Sequence, residues 1–240
     1  MTQLTDAARA ELAPHGRLRA ALNEANTLLI ATRGLEPTGV APDLARELAK
    51  RAGASVAFVA YANAGLAADA AATGAWDVAF IGAEPQRAGD ITFSPAYVEI
   101  EASYLVPPGS PLARVDDVDR DGVHIATAAR AAYTLFLQRT LRHAALVEAD
   151  GLPGALARFV EMKLDALAGL KPNLMADAAR VPGSRVLEGR FTAVQQSIGV
   201  PRARAAAAVY LEAFVKEITS SGLLRDLIAR HRVEGLSLVK

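Results

Sequence analysis

The stretch Gly74-Ala75-Trp76-Asp77-Val78-Ala79-Phe80-Ile81-Gly82-Ala83-Glu84-Pro85-Gln86-Arg87, taken up again at Ile91-Thr92-Phe93-Ser94-Pro95-Ala96-Tyr97, decides the fold. Asp77 to Ile81 is a short apolar run of strand length, and Pro85 punctuates the turn after it. Arg87 follows that turn. A guanidinium offers a rigid fork that donates two parallel hydrogen bonds to a carboxylate, which a lysine cannot reproduce. Two roles fit Arg87 at this point: an anchor for a small acid, or a surface residue after a strand.

Working outward, Leu18 to Leu22, Val56 to Val59, Val123 to Ala126, Ala145 to Val147 and Asp165 to Ala168 read as further β segments, separated by longer amphipathic runs. Such alternation predicts an α/β chain with a parallel or mixed sheet covered by helices. Pro42 to Arg51 reads as a helix: proline suits its first turn, Leu44 and Leu48 share a face, and Gly53 supplies a left-handed residue at its end. Tyr133, Phe136, Leu137 and Leu141 form one apolar stripe, and Leu211, Phe214, Val215 and Ile218 another. The run Val106-Pro107-Pro108-Gly109-Ser110-Pro111 reads as a crossing between two lobes, and Val181-Pro182-Gly183-Ser184 as a helix-to-strand turn. The return crossing is expected near Phe191 to Gln195.

Composition narrows the function. Lys plus Arg number 26 and Asp plus Glu 26, with neither sign gathered into a block, so nothing favours nucleic acid or an anionic bilayer as partner. No cysteine is present, and His15, His124, His143 and His231 form no spaced pair, so neither a thiol nucleophile nor a metal site is expected. No apolar run approaches the roughly 20 residues that span a bilayer. Charged residues interrupt MTQLTDAARAELAPHGRLRAAL before a signal-peptide core develops. The chain as written is therefore expected in the cytoplasm, or in the periplasm if a leader was removed.

The opening stretch resembles the signature of the family 3 solute-binding proteins, the amino-acid receptors of ABC transporters. That pattern runs Gly-x-x-Asp into a strand, a short loop, Glu-Arg, then Phe-Ser-x-x-Tyr, and Arg87 and Phe93 keep its spacing. Gly16 to Ala20 looks like the family's first strand, Gly39 to Ala45 like its first helix entry, and Gly109 to Leu112 with Val115 to Val118 like the approach to its second lobe. The resemblance implies a two-lobed periplasmic-binding-protein type 2 architecture, each lobe a mixed sheet flanked by helices. It implies 1–106 and 193–240 as a discontinuous first lobe, 107–192 as the second, and two crossing segments. It also implies that Arg87 holds a ligand carboxylate.

The chain departs from the family around that arginine. The loop is about two residues shorter than the family's, and Gly82-Ala83-Glu84-Pro85 lacks its hydroxyl residues. Glu84 either bonds a ligand hydroxyl or amine, or pairs with Arg87 and holds it still. In the second lobe Arg130 stands where the family has glycine and Ala131 where it has a hydroxyl. Either a side chain brings its own charge to the site there, or the region has lost its ligand role. Leu170 and then Lys171 follow the strand where amino-acid receptors carry the acid that neutralises an ammonium, whose unpaired burial costs several kcal/mol. Asn23 and Asn26 occupy a loop where relatives place an aromatic lid; they either line the pocket or simply form the loop. Of Gln195 and Gln196, adjacent in an extended run, at most one faces the cleft.

A receptor that closes around a small carboxylate, preferring an organic acid without a free amine, is the first expectation. It needs no cofactor, is not an enzyme, and its partner is an ABC transporter permease if the chain is exported. The alternative is an enzyme, since cyclohexadienyl dehydratases resemble the same family, with Glu84 as the carboxylate beside the anchor. An orphan sensor with a vestigial site is the third.

Overall fold

A computed structural model describes residues 4–239; Met1 to Gln3, which open the N-terminal stretch read above, and Lys240 lie outside the described residues. The chain forms α1 (Asp6–Leu12), β1 (Arg17–Asn23), α2 (Val40–Ala52), β2 (Ser55–Tyr61), α3 (Ala64–Asp69), β3 (Val78–Gly82), β4 (Ile91–Phe93) and β5 (Val98–Val106). It continues through β6 (His124–Ala128), α4 (Ala132–Thr140), β7 (Ala145–Ala149), α5 (Gly151–Glu161), β8 (Ala166–Leu170), α6 (Lys171–Ala178) and β9 (Arg185–Val186). Then β10 (Thr192–Pro201), α7 (Ala205–Ser220), α8 (Leu223–Arg230) and β11 (Ser237–Leu238) complete it.

Two compact units result. Unit 1 runs up to Glu99 and resumes at Gln195, and unit 2 is Ile100–Val194. The chain therefore leaves unit 1 inside β5 and returns inside β10. The punctuated run Val106–Pro111, expected to be a crossing, instead lies wholly in unit 2. Pro107 and Pro108 lack a backbone N–H, so they end β5 and a turn follows, with Ser110 N donating to Pro107 O at 3.2 Å. The chain re-enters unit 1 between Val194 and Gln195.

In unit 1 the strands run β2-β1-β3-β10, with β1 parallel to β2 and β3, and β10 antiparallel to β3. Alternation sorts the side chains onto two faces. Leu18, Ala20, Leu22, Val78, Phe80 and Ile198 join the core under α1, α2, α7 and α8, while Ala21, Ala79 and Ile81 meet α3 and Trp76 on the other side. In α2, Pro42 occupies the first turn, Leu44 and Leu48 are buried, and Gly53 ends the helix at φ 65°. Leu211, Phe214, Val215 and Ile218 of α7 are all buried, each worth about 1.5–3 kcal/mol of apolar burial. Unit 2 has the order β5-β8-β6-β7, with β6 parallel to β7 and β8 and β5 antiparallel to β8. Tyr133 and Leu137 of α4 are buried, and Phe136 stacks on Phe191, which packs on Tyr104 at a ring separation of 4.6 Å. No helix among the described residues is long and apolar enough to cross a membrane.

Candidate functional site

In open α/β sheets ligands collect at the carboxyl ends of the parallel strands. In unit 1 those ends are Asn23 on β1 and Gly82 on β3. Past Gly82 the chain makes one 3-10 turn, Pro85–Arg87, with the proline at its start and Arg87 N donating to Glu84 O at 2.9 Å. The turn folds Arg87 back on its own strand, where Nη1 donates to Gly82 O at 2.6 Å. Arg87 is only 6 % exposed and Glu84 8 %. The first of the two readings of Arg87 gains from this burial, since a surface arginine keeps its charge in water.

The rest of the signature stretch is structural. Trp76 is fully buried and its indole donates to Ala67 O at 2.9 Å. Asp77 is fully buried below the opposite, amino end of β3. It accepts from Arg19 N at 2.8 Å, from the Arg19 guanidinium at 2.8 and 3.0 Å, and from Arg204 Nη1 at 2.7 Å. Burial alone would raise its carboxyl, but these bonds outweigh burial and hold it below the usual range. Phe93 lies opposite Gly199 across β4 and β10, and Ser94 Oγ accepts from Ile198 N at 3.1 Å while donating to Pro95 O. Gly199 permits that approach, because a Cβ there would sit 2.5 Å from Ile91 Cγ2. The Arg-to-Phe-Ser spacing thus reports how β4 docks on β10.

Of the two asparagines, Asn23 Oδ1 accepts from Ala25 N at 3.2 Å, the bond of a loop former. Asn26 is 5 % exposed, and its Oδ1 has no hydrogen-bond partner among the described residues. Of the two glutamines, Gln195 reaches Glu99 Oε2 at 2.8 Å, while Gln196 is 3 % exposed in register with Gly82. Unit 1 thus gathers Arg87, Glu84, Asn26 and Gln196 about the carboxyl ends of β1 and β3. Sequence reading did not single out Gln196, because its register with Gly82 is set by residues far apart in the chain.

Unit 2 holds the other two candidates. Arg130 follows β6 in the left-handed region, at φ 62°. The turn keeps the backbone that a glycine takes without strain, although an arginine fills it. Ala131 gives α4 no side-chain cap, and the nearby hydroxyls are committed: Thr134 Oγ1 donates to Ala128 O at 2.6 Å and lies 2.6 Å from Thr127 Oγ1. Lys171 opens α6, and its Nζ lies 3.1 Å from Glu101 Oε2, a partner that sequence reading missed. Arg190 Nη1 lies 3.6 Å from the other oxygen of the same carboxylate. Leu170 just before it is buried, so no acid stands at that place. Among the described residues no group of three or more His, Asp or Glu is placed to hold a metal.

Solved structures of the same fold exist. A mutant of ArgBP from T. maritima matches at TM-score 0.76 and 20 % identity, over 95 % of this chain and 100 % of that one. An amino acid ABC transporter substrate-binding protein from Streptococcus pneumoniae, bound to L-arginine, matches at 0.74 and 17 %, over 97 % and 99 %. The ancestral amino acid-binding protein AncCDT-1, a precursor of cyclohexadienyl dehydratase, matches at 0.74 and 20 %, over 92 % and 98 %. At such identities the likeness concerns the fold, which is the type 2 periplasmic-binding-protein fold. No curated protein matches the chain significantly. The family model for bacterial extracellular solute-binding proteins, family 3, matches residues 22–233, and the chain belongs to that family.

Proposed function

We propose that this solute-binding protein takes a small organic acid without a free amino group, and that Arg87 anchors its carboxylate. The observation that carries the reading is the buried guanidinium of Arg87, pinned by Gly82 O at the carboxyl end of β3. Immobilising a guanidinium before the ligand arrives removes part of the ordering cost of binding. The buried Leu170 argues against an ammonium, which would need a carboxylate there. Delivery of the ligand to an ABC transporter permease is the step that follows.

Differential scanning fluorimetry against organic acids and amino acids tests this. Dicarboxylates are expected to raise Tm in wild type and not in Arg87→Ala. Stabilisation by ordinary amino acids alone overturns the ligand class, and turnover of prephenate replaces the receptor by a lyase on this fold.

A further inference from the structure

Asn26 Oδ1, Tyr97 Oη and Gln196 Oε1 are buried oxygens without a hydrogen-bond partner among the described residues. All three belong to unit 1, and the strand pairings bring them to one place. Gln196 is in register with Gly82, whose carbonyl holds Arg87. Tyr97 N donates to Gln196 O at 2.9 Å, and the Tyr97 ring stands edge-on to Phe80, two residues before Gly82. Asn26 lies in the turn that leaves β1, and β1 pairs with β3 up to Leu22 opposite Phe80. The three residues therefore lie at the same end of the sheet as the anchor.

Burying a polar atom unbonded costs free energy, so such atoms in a folded protein call for an explanation. An amide oxygen only accepts, and a carboxylate only accepts, so the acid group held by Arg87 leaves Asn26 Oδ1 and Gln196 Oε1 unsatisfied. A ligand O–H, with a single proton to donate, satisfies one of them, and a second hydroxyl or a bridging water satisfies the other. The amides carry no net charge, so they suit a neutral donor rather than an ammonium.

Building on the carboxylate reading of Arg87, we infer that Asn26 and Gln196 select a hydroxyl on the ligand, which makes the ligand class the hydroxy acids. A site built to bond a hydroxyl rejects the analogue lacking it much more strongly than an apolar pocket rejects a change of size.

Isothermal titration with matched pairs tests this: lactate against propionate and malate against succinate, with L-aspartate as the amine member. Wild type is expected to bind the hydroxy acid of at least one pair about 30-fold or more tighter than its deoxy partner. Gln196→Met keeps the volume and removes the acceptor. It is expected to cut that preference about tenfold, with the unliganded Tm equal to or above wild type. Asn26→Leu is the second variant and should act in the same direction. Equal binding within each pair, a preference unchanged in both variants, tighter binding of L-aspartate than of malate, or no binding of any hydroxy acid overturns the inference. Arg87→Ala separates the two readings: if it binds both members of a pair as wild type does, the carboxylate anchor fails, whatever the amides do.

Discussion

Arg19 holds Asp77 twice over, with its backbone N–H on Oδ2 at 2.8 Å and its guanidinium on Oδ1 at 2.8 Å. Arg204, from the far end of the chain, closes the other side at 2.7 Å. The amino ends of β1 and β3 are thereby tied to the start of α7, while their carboxyl ends carry Arg87, Asn26 and the residues opposite Gln196. One end of the sheet in unit 1 is spent on stability, and the other carries the residues proposed to meet a ligand.

Asp77→Asn should cost about 3 kcal/mol, the low end for breaking a buried ion pair, because Arg19 keeps some access to water. The Asp77 carboxyl titrates lower in the folded chain than in the unfolded one. Its contribution is fully present above the unfolded value near 4 and is lost as pH falls through the folded value. Urea unfolding between pH 7 and pH 3 checks both: the gap between wild type and Asp77→Asn should be widest at neutral pH and narrow in acid.

Arg130 gives a prediction of opposite sign. An L-residue in the left-handed region is disfavoured by about 1–2 kcal/mol, part of which glycine returns through its freer unfolded chain. Arg130→Gly is expected to stabilise by about 1 kcal/mol, or roughly 2–4 °C in Tm. Scanning calorimetry of wild type and Arg130→Gly is the measurement, and an unchanged or lowered Tm contradicts the prediction.

How much of this was legible in the sequence depends on how local the cause is. The strands β1, β2, β3, β6, β7 and β8 announce themselves by short apolar runs, and Gly53 marks the end of α2 because a left-handed residue is needed there. β5 hides because its pattern changes midway: Val98-Glu99-Ile100-Glu101 alternates, whereas Ala102 to Val106 is buried throughout. That change falls where the chain passes between units. In β10 the extended run is legible, but which of Gln195 and Gln196 is buried depends on the pairing with β3. Arg87 is visible through its spacing, but Asp77 meets Arg19 and Arg204 across 58 and 127 residues, and no local pattern encodes such a meeting.

Glu101 makes the charge of unit 2 adjustable. Its carboxylate lies between Lys171 at 3.1 Å and Arg190 at 3.6 Å, all three partly exposed. Glu101→Gln should change stability by less than about 1 kcal/mol, as for other exposed pairs. It removes the carboxylate that faces Lys171, so the small stability gap between the two proteins should shrink further at 1 M salt. Urea unfolding of both proteins in low salt and at 1 M salt is the measurement.

Arg87→Lys asks whether the anchor works by charge or by shape. Lysine keeps the positive charge but has a single nitrogen head, so it cannot hold Gly82 O and present a planar pair of donors at once. The fold should survive, with Tm within a few degrees of wild type. Carboxylate affinity is expected to fall about 30-fold or more, close to the loss in Arg87→Ala, because the two parallel bonds are what the fork provides. Near-full affinity in Arg87→Lys, with affinity lost in Arg87→Ala, would show instead that the site needs only a cation at this position, and the bidentate geometry would have to be given up.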